Sequence, residues 1–295
     1  MATATTLALA PMLDAADTTS ADERVLDIHQ HTNYSGRTDE QLRSHQRAMG
    51  VTHTILLPAG RWFGLDAQCG GNQSVQRLAR RFPREFSYFA NEVAYLPEAP
   101  AEVTGFLRQG ACGIGEQKFT VAADSAWIQR LAELAREFRV PMLMHFQFER
   151  YNTGIENFHR VLARNPQVNF IGHAQTWWAN IDAKCDQKTL YPVGPVTPGG
   201  INDRLLREHR NMFGDLSAGS GLNSLIRDED HTRGFLERHQ DQLLFGSDCN
   251  DLVGRGPGCQ GAQILAAIRR LAPNQAVERK ILYGNARKLL GLRLA

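Results

Sequence analysis

The 295-residue sequence lacks several features that mark whole classes of protein. It has only five cysteines, widely spaced and without a C-x-x-C pair, so neither a disulfide framework nor a zinc-thiolate cluster is indicated. Residues 1–21 contain no Lys or Arg, so they lack the charged start of a secretory signal. No apolar run approaches the roughly 20 residues that a membrane-spanning helix needs. We therefore expect a soluble cytoplasmic protein, while export with a signal already removed stays open.

A strong charge imbalance is also missing. The formal net charge is +2, which gives no support to a nucleic-acid partner. The composition, 42% hydrophobic and 22% charged, is that of an ordinary globular protein. We expect a small-molecule substrate and neither a nucleic-acid nor a membrane partner.

Short apolar runs alternate with amphipathic stretches from Val25 onward, which is typical of βα units around a parallel sheet. The helix predicted most clearly is 125–139, and the last helices are expected near 262–271 and 275–290. The chain length suits one (β/α)8 TIM barrel. We therefore predict an α/β fold with a single domain over 22–295, preceded by a mobile N-terminal arm over 1–21. Eight strands are predicted, at 24–29, 53–57, 86–91, 113–116, 141–145, 168–173, 212–216 and 242–246.

One predicted connection is longer than compact domains usually allow. The segment 174–200 contains Trp177, Trp178 and Tyr191 together with three prolines and three glycines. Because long loops of this kind are usually functional, we predict a substrate-facing lid that carries these three aromatic residues. The alternative is an ordinary surface excursion held in place by the two tryptophans.

Histidines and acidic residues close several of the predicted strands. The first strand ends at His29 and His31, and the alternation of side chains along a strand places both on one side, where they can chelate one ion. Taken alone, this pair is equally well explained as two unrelated histidines. A TIM barrel, however, keeps its catalytic groups at the C-terminal ends of its strands, so we expect the strand-end residues to converge there. The other members of this set are Glu116, His145, His173 and Asp248.

This donor set favours a divalent metal that activates water. Histidines and a carboxylate can hold the ion and leave a position for water, whose pKa then falls toward about 7. Asp248 is predicted as a ligand and as a catalytic proton acceptor. Zinc is the favoured metal, but imidazole and carboxylate donors bind several divalent metals, so manganese, iron and nickel stay open. We expect one or two ions.

Further residues at the same rim are candidates for substrate contacts. A carboxylate can bridge two metals whereas a protonated amine cannot bind one, so Glu116 is predicted as a ligand and Lys118, two residues on, as a substrate-contacting cation. A salt bridge between the two is the alternative. Arg61 and Trp62 follow the second strand and could hold a substrate carboxylate, although a solvated arginine is an equally good account.

The order of these motifs resembles the amidohydrolase-related family of the amidohydrolase superfamily, which includes aminocarboxymuconate-semialdehyde decarboxylase. The similarity covers 25–292. It rests on Asp-x-His-x-His in the first strand, Gly-His in the sixth, Phe-Gly-Ser-Asp in the eighth and the closing run 281–291. A homodimer is plausible from this analogy alone.

The resemblance implies specific roles for the strand-end residues. His173 is implied as a second-metal ligand or as an acid/base group. Glu116 departs from the decarboxylase pattern, and its Gly-x-Gly-Glu context is similar to the TatD-like hydrolases, in which the glutamate bridges two metals. The metal ligands implied by the family pattern are His29, His31, His145 and Asp248.

Glu116 moves the functional prediction toward hydrolysis. The leading hypothesis is a metal-dependent hydrolase that acts on a small carboxylate, lactone, amide or ester through activated water. The alternatives are a metal-dependent non-oxidative decarboxylase of a small aromatic or dienoic acid, and a catalytically silent metal-binding barrel. A TatD-like phosphodiesterase is disfavoured because the sequence has no basic cluster.

Overall fold

The computed structural model describes residues 23–60 and 68–294, in which parallel strands alternate with helices. This arrangement confirms the predicted α/β barrel fold, although β3 and β8 are shorter than expected. The predicted arm, 1–21, lies outside the described residues. The strands are β1 Leu26–Gln30, β2 His53–Leu56, β3 Phe86–Tyr88, β4 Ile114–Gln117, β5 Met142–His145, β6 Phe170–His173, β7 Met212–Asp215 and β8 Leu243–Leu244.

The strands follow one another around the barrel in chain order. Regular pairing joins β1 through β3 and, separately, β4 through β8. Between β3 and β4, the amide of Ala90 donates to the carbonyl of Gly113 at 2.9 Å. Between β8 and β1, the amide of Ile28 donates to the carbonyl of Phe245 at 3.1 Å. Backbone hydrogen bonds therefore cross both gaps in the regular pairing.

Helices form the outer layer, and none within the described ranges is long and apolar enough to cross a bilayer. The predicted helix 275–290 is present as two short helices joined by a π-helical turn at Lys280–Gly284. The helices are α1 Asp39–Met49, α2 Asn72–Arg81, α3 Ala99–Arg108, α4 Ala126–Phe138, α5 Phe158–Arg164, α6 Gln175–Ala179, α7 Ile201–Glu208, α8 Ala218–Ile226, α9 Glu229–Arg238, α10 Gln260–Leu271, α11 Gln275–Arg279 and α12 Asn285–Leu289.

The barrel interior is apolar at one end and polar at the other. Inward side chains such as Leu143 on β5 and Ile171 on β6 belong to one buried cluster, which Ala286 of α12 joins. Two residues further along the same strands, the inward positions are His145 and His173, because side chains alternate across a strand. The polar end is therefore the C-terminal mouth of the barrel, where such folds place their functional groups.

Two irregularities in the strand pairing change which side chains face inward. In β1, Asp27 and Gln30 are three positions apart, but their partners in β2, Thr54 and Leu56, are only two apart. The same irregularity occurs in β4, between Ile114 and Gln117. One extra residue in a strand reverses the inward and outward alternation beyond it. Both irregularities fall beside the polar mouth, so they re-aim the strand-end side chains toward the barrel axis.

Candidate metal centre

The two histidines of β1 turn the same ring nitrogen toward each other. Nε2 of His29 and Nε2 of His31 are 3.2 Å apart. The opposite nitrogens are already bonded, since Nδ1 of His29 donates to Oδ2 of Asp215 at 2.7 Å and Nδ1 of His31 donates to the carbonyl of Leu57 at 2.8 Å. A carboxylate and a carbonyl only accept hydrogen bonds, so both Nε2 atoms present lone pairs. Two lone pairs that face each other fit a cation held between them.

Two buried carboxylates face this histidine pair. Oδ1 of Asp248 lies 3.8 Å from Nε2 of His29 and 3.6 Å from Nε2 of His31, and it has no hydrogen-bond partner among the described residues. Oε2 of Glu116 lies 3.7 Å and 3.6 Å from the same two nitrogens. A buried carboxylate oxygen without a partner is costly. Its position opposite two lone pairs is therefore the observation that best fits a divalent cation.

The other two histidines lie on the far side of the same carboxylates. Oε1 of Glu116 is 2.5 Å from Nδ1 of His145 and 3.6 Å from Nε2 of His173. Oδ2 of Asp248 is 3.7 Å from Nε2 of His173. Each carboxylate thus directs one oxygen toward the histidine pair of β1 and the other toward the second pair. Glu116 therefore lies between the two pairs of histidines.

All six predicted ligands meet at this place, which we call the metal centre. Five of them are at most 4% exposed, and the Asp248 side chain is 13% exposed, so it faces the mouth. Subsets of three of these side chains have donor atoms close enough to share an ion. The metal centre consists of His29, His31, Glu116, His145, His173 and Asp248.

Asp215, at the end of β7, orients two of the histidines. Its Oδ2 accepts from Nδ1 of His29 and lies 3.3 Å from Nδ1 of His173. The hydroxyl of Ser217 lies 2.8 Å from the same oxygen and 3.0 Å from Nδ1 of His173. Burial would raise the pKa of Asp215, but its interactions with the His29 ring and with the His173 ring outweigh it and lower the pKa to about 2. The ionised carboxylate fixes both tautomers, a role to which sequence reasoning assigned no residue.

The charge state of His145 also suits a ligand. Burial lowers the pKa of His145 to about 4, more than the neighbouring Glu116 carboxylate raises it. The ring is therefore neutral near pH 7 and retains a lone pair. Its Nδ1 lies 2.5 Å from Oε1 of Glu116, and its Nε2 lies 3.4 Å from Oε1 of Gln147.

Lys118 lies close to the second histidine pair. Its Nζ is 5.7 Å from the centre of the Tyr151 ring, and that ring packs edge-on against His145 with centroids 5.5 Å apart. Arg150 lies over the same tyrosine at 5.0 Å. Positive side chains therefore line this side of the mouth. The other predicted substrate contacts at the rim, Arg61 and Trp62, lie outside the described residues.

The prediction that Trp177 and Trp178 belong to a substrate-facing lid is wrong. Residues 175–179 form α6, and the rings of Trp177 and Trp178 are 0% and 2% exposed. Trp177 stacks on Phe146, and the indole nitrogen of Trp178 donates to the carbonyl of Asp215 at 2.7 Å. Both rings fill the core between strands and helices, so they are not available to a substrate.

Tyr191 has a different setting. It is 49% exposed, and its hydroxyl lies 3.4 Å from the amide nitrogen of Gln175. A substrate contact by Tyr191 stays a prediction.

No family model and no curated protein matches the sequence. Solved structures match over 91% of this chain. An uncharacterized TIM-barrel protein from Bordetella bronchiseptica is 17% identical, with a TM-score of 0.65, and 98% of its chain is covered. A probable 2-pyrone-4,6-dicarboxylic acid hydrolase from Acinetobacter baumannii, solved with citric acid bound, is 13% identical with a TM-score of 0.61 and 99% covered. The 2,6-dihydroxybenzoate decarboxylase from Rhizobium is 15% identical, with a TM-score of 0.55 and 99% covered.

These identities are low, so the likeness concerns the fold. The solved structures share the barrel architecture of this chain.

Proposed function

We propose that this protein is a metal-dependent hydrolase that acts on a small carboxylate substrate with a lactone, ester or amide bond. The observation that carries the proposal is the position of Glu116. Its Oε2 faces the β1 histidine pair at 3.6 to 3.7 Å, and its Oε1 faces His145 and His173 at 2.5 and 3.6 Å. A carboxylate placed in this way would be a ligand to two divalent ions, which would activate water for hydrolysis.

The chemistry divides between the ions and the protein. Bound divalent ions supply Lewis acidity, which polarises a carbonyl and lowers the pKa of water toward about 7. Asp248 lies at the mouth and takes up the proton that the attacking water loses. Asp215 holds the rings of His29 and His173 so that Nε2 of each faces the centre.

The charges around the mouth favour an anionic substrate. Lys118 and Arg150 approach the ring of Tyr151, which packs against His145. Ammonium and guanidinium groups bind carboxylates through charge-assisted hydrogen bonds. The hydrolase from Acinetobacter baumannii was solved with the tricarboxylate citric acid, which supports the same substrate class for this chain. Carboxylated lactones such as 2-pyrone-4,6-dicarboxylic acid are the first substrates to test.

The test is a substrate panel with zinc-loaded and manganese-loaded protein. It contains carboxylated lactones, the corresponding esters and amides, and 2,6-dihydroxybenzoate as a decarboxylation substrate. We expect lactone opening with release of one proton and no carbon dioxide. Carbon dioxide release from the aromatic acid would reassign the protein as a decarboxylase. If the fully metal-loaded protein turned over none of these substrates, the protein would be assigned as a metal-binding barrel without catalytic activity.

Lys118 provides a test of substrate charge within the same panel. We expect Lys118→Ala to raise KM for carboxylated substrates by roughly ten-fold or more, because one charge-assisted hydrogen bond contributes about 1.5–3 kcal/mol. Lys118→Arg retains the charge and is the matched control. Equal KM values for the alanine variant and the native protein would remove Lys118 from substrate binding.

A further inference from the structure

A second cluster of metal-binding side chains lies around the loop that follows β8. It combines an imidazole from α1, two side chains of the loop and the residue that precedes α10. One donor atom from each of the four lies within 4.8 Å of all the others. The two sulfurs and the imidazole are buried. We call this the cysteine cluster, and it consists of His45, Cys249, Asp251 and Cys259.

Four of the six separations between donor atoms are close to those of a tetrahedral zinc site, and the other two are below 4.8 Å. The sulfurs of Cys249 and Cys259 are 3.6 Å apart, and Nε2 of His45 lies 3.4 Å from the sulfur of Cys259. Oδ2 of Asp251 lies 3.2 Å from the sulfur of Cys249 and 3.3 Å from Nε2 of His45. Zinc bonds are about 2.3 Å long to sulfur and about 2.0–2.1 Å long to nitrogen or oxygen. In a tetrahedral site, these bond lengths place two sulfur ligands about 3.8 Å apart, a sulfur and a nitrogen or oxygen about 3.5 Å apart, and two nitrogen or oxygen ligands about 3.3 Å apart. The four separations therefore lie within about 0.3 Å of those distances.

The imidazole of His45 presents a lone pair to the cluster. Its Nδ1 lies 3.2 Å from Oε1 of Gln46. The orientation of the Gln46 amide is set by its nitrogen, which donates to Oδ2 of Asp27 at 2.7 Å and to the hydroxyl of Thr54 at 2.8 Å. In the neutral ring, Nδ1 of His45 is therefore the donor and Nε2 the acceptor. A lone pair at Nε2 then faces a carboxylate oxygen at 3.3 Å, an arrangement that a cation stabilises.

The other donors are also held in position by the backbone. Oδ1 of Asp251 accepts from the amides of Val253 at 2.5 Å and Gly254 at 2.9 Å, which leaves Oδ2 directed into the cluster. The sulfur of Cys259 accepts from the amide of Ala262 at 3.3 Å, as the N-cap of α10. A helix N-terminus stabilises a thiolate, which is the form of cysteine that binds metal.

We propose that the cysteine cluster binds one zinc ion. Two thiolates favour zinc over the harder manganese and magnesium, and four protein donors without an open position are typical of a structural site. Binding releases the thiol protons to solvent. The ion ties α1 and α10 to the loop residue Cys249, which directly follows Asp248 of the metal centre. This inference stands independently of the proposed hydrolase activity.

Cobalt substitution of the whole native chain tests the proposal without any variant. The protein is stripped of metal with a chelator under reducing conditions and is then titrated with Co²⁺. We expect thiolate-to-cobalt charge-transfer absorption in the near ultraviolet whose final intensity corresponds to one thiolate-bound cobalt per chain, because the metal centre offers only nitrogen and oxygen donors and does not contribute to it. A folded native protein without this absorption would overturn the proposal and leave the four side chains as a hydrogen-bonded thiol network.

A serine substitution tests the same site by metal content. Cys259→Ser keeps an N-cap acceptor for the amide of Ala262 and removes one sulfur donor. We expect it to lose one equivalent of zinc by elemental analysis and to lower the Tm. Cys112→Ser is the matched control, since Cys112 lies beside Tyr88 and outside the cluster, and it is expected to keep the full zinc content. Unchanged zinc in Cys259→Ser would contradict the proposal, as would a disulfide between Cys249 and Cys259 in protein purified with reductant.

Discussion

The metal centre and the cysteine cluster use neighbouring residues of one loop in opposite ways. Asp248 turns into the barrel mouth, where its side chain is 13% exposed and nitrogen and oxygen donors surround it. The Cys249 side chain is buried, and its sulfur lies 3.6 Å from that of Cys259, the residue that precedes α10. The metal centre has more donors than one ion needs and opens to solvent, whereas the cysteine cluster has four donors and is closed. Open donor sets are typical of catalytic sites and closed sets of structural ones.

This comparison assigns different consequences to the loss of each site. Removing a ligand from the metal centre should abolish activity and leave the fold nearly intact. Removing one from the cysteine cluster should lower stability first. The sharpest variants are therefore those that separate the two sites.

His31→Ala is expected to have the largest effect. The variant loses one of two facing Nε2 donors, so we expect metal loss at the metal centre and a fall in kcat/KM on the order of 10³-fold, equivalent to several kcal/mol of lost Lewis-acid stabilisation. The charge-transfer absorption of cobalt at the cysteine cluster should persist. His53→Ala is the control, because His53 is also buried and its ring hydrogen-bonds to Arg84 and Ser87 instead of a metal ligand. Loss of cobalt absorption in His31→Ala would show that the two sites are not separable.

Asp215→Asn is expected to have an intermediate effect. The amide cannot fix the His29 and His173 tautomers as a carboxylate does, so we expect metal affinity at the metal centre to fall by about 10–100-fold. The measurement is competition against a chelator of known affinity. Asp203→Asn is the control, since Asp203 forms a comparable bond of 2.6 Å with His239 away from both sites. A similar loss of metal affinity in both variants would point to general destabilisation instead of orientation.

Gly254→Ala is expected to have the smallest effect, and it should fall on the cysteine cluster. Gly254 has a φ of +71°, and an added Cβ would lie 2.3 Å from the carbonyl oxygen of His45. We expect a loss of about 1–3 kcal/mol in the free energy of unfolding, measured by urea titration, together with weaker zinc binding at the cysteine cluster. Gly258→Ala meets no atom within 4 Å and is the control. Equal stability of the two variants would contradict the close packing of this loop against α1.

The sequence alone was sufficient to predict the barrel fold and the convergence of the ligands at the strand ends. Parallel strands bring their C-terminal ends to one rim, so His145, His173 and Asp248 could be located from strand ends alone. The strand irregularities beside His29 and Glu116 could not be predicted, because an extra residue in a strand depends on pairing with its neighbour.

Other parts of the structure could not be predicted from the sequence, for different reasons. Trp177 and Trp178 were predicted in a substrate-facing lid because the connection 174–200 is long, but the short helix α6 turns both into the core. The cysteine cluster has no local motif, since His45 is about 200 positions from its partners along the chain. Only the packing of α1 against the loop after β8 brings these donors together.

The most direct test of the metal centre is an anomalous-scattering map from crystals of the zinc-loaded protein. We predict one peak bonded to His29, His31 and Asp248 and a second bonded to His145 and His173, with Glu116 contacting both. Zinc peaks found only at the cysteine cluster, with these six side chains beyond coordination distance of any ion, would contradict the account.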